Sequence, residues 1–97
     1  MLKIQELKNI INAQKSNLIR NYGIKEIAIF GSYIRNENTE ISDLDILVDF
    51  KQQPSLLKFI NMKNYLTDLL GIKVDLVMKS AIKPALKNDI VSSSIQL

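Results

Sequence analysis

The chain has 97 residues, 46% of them hydrophobic, with 13 Lys and Arg against 10 Asp and Glu and neither His nor Cys. That length suits one domain, residues 1–97, with a modest core. The missing His and Cys exclude Ser-His-Asp and Cys-His catalysis, zinc sites built on those ligands and any disulfide framework, which leaves carboxylates, lysines and tyrosines for acid–base work. The net charge of +3 is a weak signal. A scattered basic surface helps attract a polyanion such as a nucleoside triphosphate, or simply keeps a small domain soluble. No dense Lys/Arg run or aromatic-interleaved patch suggests direct nucleic-acid binding. Met1-Leu2-Lys3-Ile4-Gln5-Glu6 does not open a signal peptide, and no run approaches the ~18 apolar residues of a membrane span. A soluble cytoplasmic chain without membrane contact is expected.

Ile4, Leu7, Ile11 and Leu18 recur at helical spacing, with Ile10 and Ile19 widening the stripe, so residues 2–21 are predicted as one amphipathic helix capped by Gly23. Residues 25–30 form a predicted strand, apolar on both faces, which suggests a sheet covered on both sides. Residues 32–36 suit a short helical turn and 36–42 a polar loop. Residues 44–50 give the second strand. Pro54-Ser55 starts a helix whose apolar face is Leu56, Phe59, Ile60, Leu66, Leu69 and Leu70, and Gly71 ends it. The third strand is 73–78. A last helix runs over 81–90 with Pro84 in its first turn, and Ser92-Ser93-Ser94 breaks the pattern before a short apolar tail. Alternating helices and strands indicate an α/β fold, a small three-stranded sheet flanked by helices.

The chemistry lies at the strand ends. Asp43 and Asp45 open the apolar run Ile46-Leu47-Val48, and residues i and i+2 of a strand share a face at roughly 6.6 Å between Cα atoms. Asp75 sits within Val74-Asp75-Leu76-Val77-Met78, where burial would be costly without a cation or donors. Three such carboxylates can converge on hard cations, and magnesium usually works together with substrate phosphates. Asp49, where the second strand runs out, reads as a solvated end. Gly31 follows a buried strand, lets the backbone approach an anion closely and is followed by Ser32, whose hydroxyl adds a donor. Gly-Ser alone marks many ordinary turns, and its weight here comes from the distance to Asp43 and Asp45. Arg35 suits a phosphate, or a carboxylate such as Glu37 or Glu40. Tyr33 suits packing or the surface.

Gly31-Ser32-x10-Asp43-x-Asp45, followed by Asp75 on the next strand, resembles the nucleotidyltransferases of the DNA-polymerase-beta-like superfamily. The likeness runs from about Ile24 to Ile90 and takes in Arg35, Glu37, Ser42 and Lys73-Val74-Asp75-Leu76-Val77. Within the superfamily the chain is similar to the minimal nucleotidyltransferases, antitoxin partners of HEPN-domain toxins. The resemblance implies a mixed sheet, ATP as donor, two magnesium ions and transfer of AMP to a hydroxyl. By it, Asp43 and Asp45 hold both metals, Asp75 completes one shell and helps deprotonate the acceptor, and Gly31 and Ser32 hold the triphosphate tail; Arg35, a candidate for the same phosphates, suits a surface ion pair equally well. Asn36 stands where many members have glycine, a departure that asparagine's tolerance of left-handed backbone makes mild. Larger members carry a second domain that grips the acceptor. A chain of this length has no room for one, so the acceptor is expected on another chain in a hetero-oligomer, and a tyrosine of a HEPN toxin fits. Two other outcomes remain open: an antitoxin that only masks its partner, and a subunit of a small-molecule nucleotidyltransferase.

Overall fold

The computed structural model, which describes residues 3–31 and 43–97, divides the first predicted helix. Helix α1 spans Ile4–Ala13 and α2 spans Lys15–Tyr22. The break falls at Gln14 (φ −103°, ψ 3°), whose N–H turns back to the Ile11 carbonyl at 3.0 Å. Neither glycine nor proline marks the spot. At the break the Gln14 Oε1 accepts from the Tyr65 hydroxyl, 51 residues away, at 3.0 Å and from the nearby Asn17 Nδ2 at 2.8 Å. Gly23 caps α2 in the left-handed conformation, as expected.

Strand β1 (Ile24–Phe30) pairs antiparallel with β2 (Leu44–Phe50). Helix α3 (Leu56–Leu70) then crosses over to β3 (Val74–Met78), which pairs parallel with β2. Ser55 caps α3 by accepting from the Lys58 N–H, and Gly71 closes it. A 3-10 turn at Lys79–Ala81 leads to α4 (Pro84–Ser93), which starts three residues later than predicted and has Pro84 at its first position. The apolar tail forms a fourth strand, β4 (Ile95–Gln96), antiparallel to β1. The sheet order is β3-β2-β1-β4, so the mixed sheet has four strands where three were predicted. Two residues have too little periodicity to read as a strand. The free edge of β1 supplies the partner, and the Leu97 N–H extends the ladder to the Ile27 carbonyl at 3.0 Å.

The core lies on one face of this sheet. Leu7, Ile11, Leu18, Met62, Leu66 and Leu70 from α1, α2 and α3 pack on Ile27, Ile29, Leu44, Ile46, Val48, Val74 and Leu76. On the opposite face only Ala28 and Leu47 are buried among the described residues, and α4 buries none of its own. The expected cover on both faces is therefore uneven. The predicted stripe of α3 is corrected too. Phe59, Met62, Leu66 and Leu70 face inward, whereas Leu56, Leu57 and Ile60 are exposed, the first two by 70% or more. A helix that crosses the sheet only over its later turns leaves its first turn in solvent.

Candidate active site

Period-two alternation decides which aspartates meet. On β2, Leu44, Ile46 and Val48 point into the core, so Asp43, Asp45, Leu47 and Asp49 belong to the other face. On β3, Val74 and Leu76 point inward and Asp75 outward. The register then pairs Asp45 directly with Asp75, and neighbouring strands lie about 4.8 Å apart. Asp43, two residues before Asp45, is brought to the same edge by the Leu44 N–H, which donates to the Lys73 carbonyl at 2.9 Å. Sequence spacing and tertiary pairing thus gather all three predicted carboxylates at the start of β2 and β3.

Asp75 corrects one expectation. Its flanking Val74 and Leu76 are buried, but Asp75 itself is exposed. Alternation turns it away from its apolar neighbours, so no burial penalty needs a compensating cation. The other end of this face holds Glu26, Asp49 and Lys79 with Gln96, and there Lys79 Nζ sits 3.2 Å from Glu26 Oε2. The apolar Ala28, Leu47 and Val77 separate the two ends.

Lys73 is a neighbour that motif spacing did not single out. Its Nζ lies 3.9 Å from Asp43 Oδ2, with the two side chains 74% and 40% exposed. The signal was present: in a parallel register that pairs Asp45 with Asp75, the residue two before Asp75 stands beside the one two before Asp45. Such an exposed pair contributes little stability and is readily exchanged.

Gly31 closes β1 one residue beyond Phe30, whose register partner is Asp45. Its φ of +82° is left-handed, and a Cβ built on it would meet the Asp45 carboxylate. Ser32 and Arg35 lie outside the described residues, as do Tyr33, Asn36, Glu37, Glu40, Ser42 and the predicted turn and loop of 32–42.

The donor chemistry suits a hard cation, since carboxylate oxygens from two strands share one edge. Among the described residues, however, no three acidic side chains are drawn close enough to hold a metal ion. Like charges without a cation between them favour separation. A hollow of about 550 Å³ lies at the opposite end of the strands, lined by Tyr22, Gly23, Lys51 to Ser55 and Lys58, and holds none of the predicted site residues. Among the described residues no helix is long and apolar enough to cross a membrane.

A family model described as a nucleotidyltransferase domain matches residues 7–97. The chain is 50% identical over 91 residues to the protein adenylyltransferase MntA of Thermococcus cleftensis, covering 94% of this chain and 92% of that protein. A solved structure described as a candidate minimal nucleotidyltransferase is similar with a TM-score of 0.85 at 33% identity, over 99% of this chain and 97% of the other. One chain of an MntA toxin–antitoxin complex carrying a tyrosine-to-alanine substitution is similar with a TM-score of 0.69 at 26% identity, over 90% of this chain and 69% of that one.

Proposed function

Because the chain belongs to the nucleotidyltransferase domain family, we propose that it transfers AMP from ATP to a hydroxyl of a partner protein, and that the partner is a HEPN-domain toxin silenced by the transfer. The observation that carries this is the register pairing of Asp45 with Asp75, with Asp43 on the same edge. The name of the Thermococcus relative, a protein adenylyltransferase, and the toxin–antitoxin complex among the similar structures support the same choice of acceptor.

Asp43, Asp45 and Asp75 are the residues that would hold two magnesium ions. Bound there, magnesium offsets the charge of the triphosphate and the charge that develops on the departing pyrophosphate. Asp43, just before β2, and Asp45 within it fix the donor side. Asp75, on the neighbouring strand and open to solvent, faces the acceptor and takes its proton as the hydroxyl oxygen bonds to the α-phosphorus. The bond from that phosphorus to the β-phosphate bridge then breaks, and pyrophosphate leaves with its electron pair. Gly31 and Ser32 would cradle the triphosphate, and Arg35 would neutralise it. Lys73 would yield Asp43 to a divalent ion, whose two charges would outcompete one exposed ammonium. A tyrosine is the expected acceptor hydroxyl.

An enzyme turns over and a masking protein does not. A small amount of the chain, with ATP and magnesium, should inactivate an excess of toxin and raise the toxin's intact mass by whole AMP units on a tyrosine. An unmodified toxin neutralised at one-to-one stoichiometry, equally well by the Asp43→Asn/Asp45→Asn double variant, would overturn the proposal in favour of masking.

A further inference from the structure

Three glycines of the described chain have positive φ, and they differ in what surrounds them. A Cβ on Gly23 or Gly71 would meet nothing within 4 Å, so those two serve only the helix ends they close. A Cβ on Gly31 would fall well inside contact distance of Asp45 Oδ2, 2.8 Å from its Cγ and 3.1 Å from its Cβ. The Asp45 Cβ is fixed by a strand whose neighbours Leu44 and Ile46 are fully buried, so the strand cannot yield. The carboxylate must swing away instead.

We infer that Gly31 is a positioning residue for Asp45: the absence of a side chain at 31 leaves the space in which the Asp45 carboxylate lies, and so sets the direction from which it meets a divalent cation. This role differs from phosphate contact by the glycine backbone and rests on the proposed metal-holding role of Asp45. The register fixes its geometry. Phe30 is the partner of Asp45, the chain turns left-handed at the next residue, and that turn carries the bare Cα under the carboxylate.

The test separates the missing side chain from the unusual backbone. Total synthesis of the full chain gives Gly31→Ala and Gly31→D-Ala. L-alanine disfavours the positive φ and fills the space, whereas D-alanine favours positive φ and directs its methyl to the other side of the Cα. Three-bond NMR couplings report the Asp45 χ1 angle in metal-free protein, and paramagnetic titration reports Mn²⁺ affinity without nucleotide. Gly31→Ala should change the Asp45 rotamer and weaken Mn²⁺ binding by roughly 10–100-fold, the scale for groups that orient a metal ligand. Gly31→D-Ala should match the parent in both. If Gly31→Ala does not fold by circular dichroism, Gly31→Asn takes its place, since asparagine tolerates left-handed backbone but keeps a Cβ. An unchanged Asp45 rotamer in the L-variant, or equal displacement in the L- and D-variants, overturns the inference. A parent that binds no Mn²⁺, together with a rotamer shift confined to the L-variant, would sink the metal site and leave the positioning role standing.

Discussion

Asp45 and Ile46 are consecutive residues of β2, and they belong to different problems. Ile46 is fully buried beneath the helices, in a core drawn from α1, α2, α3 and the strands β1, β2 and β3. Asp45 lies on the opposite face, beside Asp75 and against the bare Cα of Gly31. The sheet therefore separates stability from chemistry by one residue of register. One face holds the strands in place through apolar burial. The other can collect like charges at one edge, which costs stability rather than supplying it, because the first face makes up the difference.

Substitutions at adjacent positions test that separation. The largest effect is expected from Ile46→Ala, which removes buried methylenes and leaves a cavity under the central strand, at a cost of about 2–5 kcal/mol. Thermal unfolding should fall by roughly 4–8 °C for each kcal/mol, while activity per folded molecule stays near the parent's. A variant that melts normally but loses transfer would place Ile46 in the site and break the comparison.

Asp45→Asn should do the reverse. Transfer is expected to fall by at least ~10²-fold, equivalent to about 2.7 kcal/mol of transition-state stabilisation, while the chain remains folded because removing one of several clustered negative charges relieves repulsion. Asp43→Asn should behave alike. Asp75→Asn should lose transfer but retain more nucleotide binding than either, since it serves the acceptor side. Single-turnover rates and ATP titration with the same preparations distinguish the three, and wild-type rates in Asp45→Asn would remove the carboxylates from the chemistry.

The smallest effect is expected at Leu57, 70% exposed on the first turn of α3. Leu57→Ser should alter stability by no more than ~0.5 kcal/mol, as judged by urea unfolding. A larger loss would show that the first turn of α3 is packed after all.

Much of the fold is legible in the sequence. The strand over 44–50 and the helix from Leu56 to Leu70 came out with the predicted bounds, because apolar runs, a serine cap and a closing glycine are local signals. The end-of-strand placing of Asp43 and Asp45 was legible for the same reason, and the Gly-Ser and aspartate spacing pointed to the right family. What failed depended on contacts between distant residues. The break at Gln14 coincides with a hydrogen bond from Tyr65, β4 pairs with the edge of β1, and the exposed first turn of α3 depends on where the helix crosses the sheet. The apolar neighbours of Asp75 in sequence raise the question of a burial cost, but alternation turns Asp75 to the other face, where it is exposed.

The amino-acid sequence by itself determined most element types, the chemical identity of the three carboxylates and the family, since apolar periodicity, turn residues and motif spacing are read along the chain. Only the tertiary structure decided that Asp45 stands opposite Asp75 and not one residue out of step, that Lys73 reaches Asp43, and that the space over Gly31 is filled by the Asp45 carboxylate. The physical reason is register. Pairing between strands is set by the total packing of one face against the helices, and a slip of one residue would send every aspartate of β2 into the core.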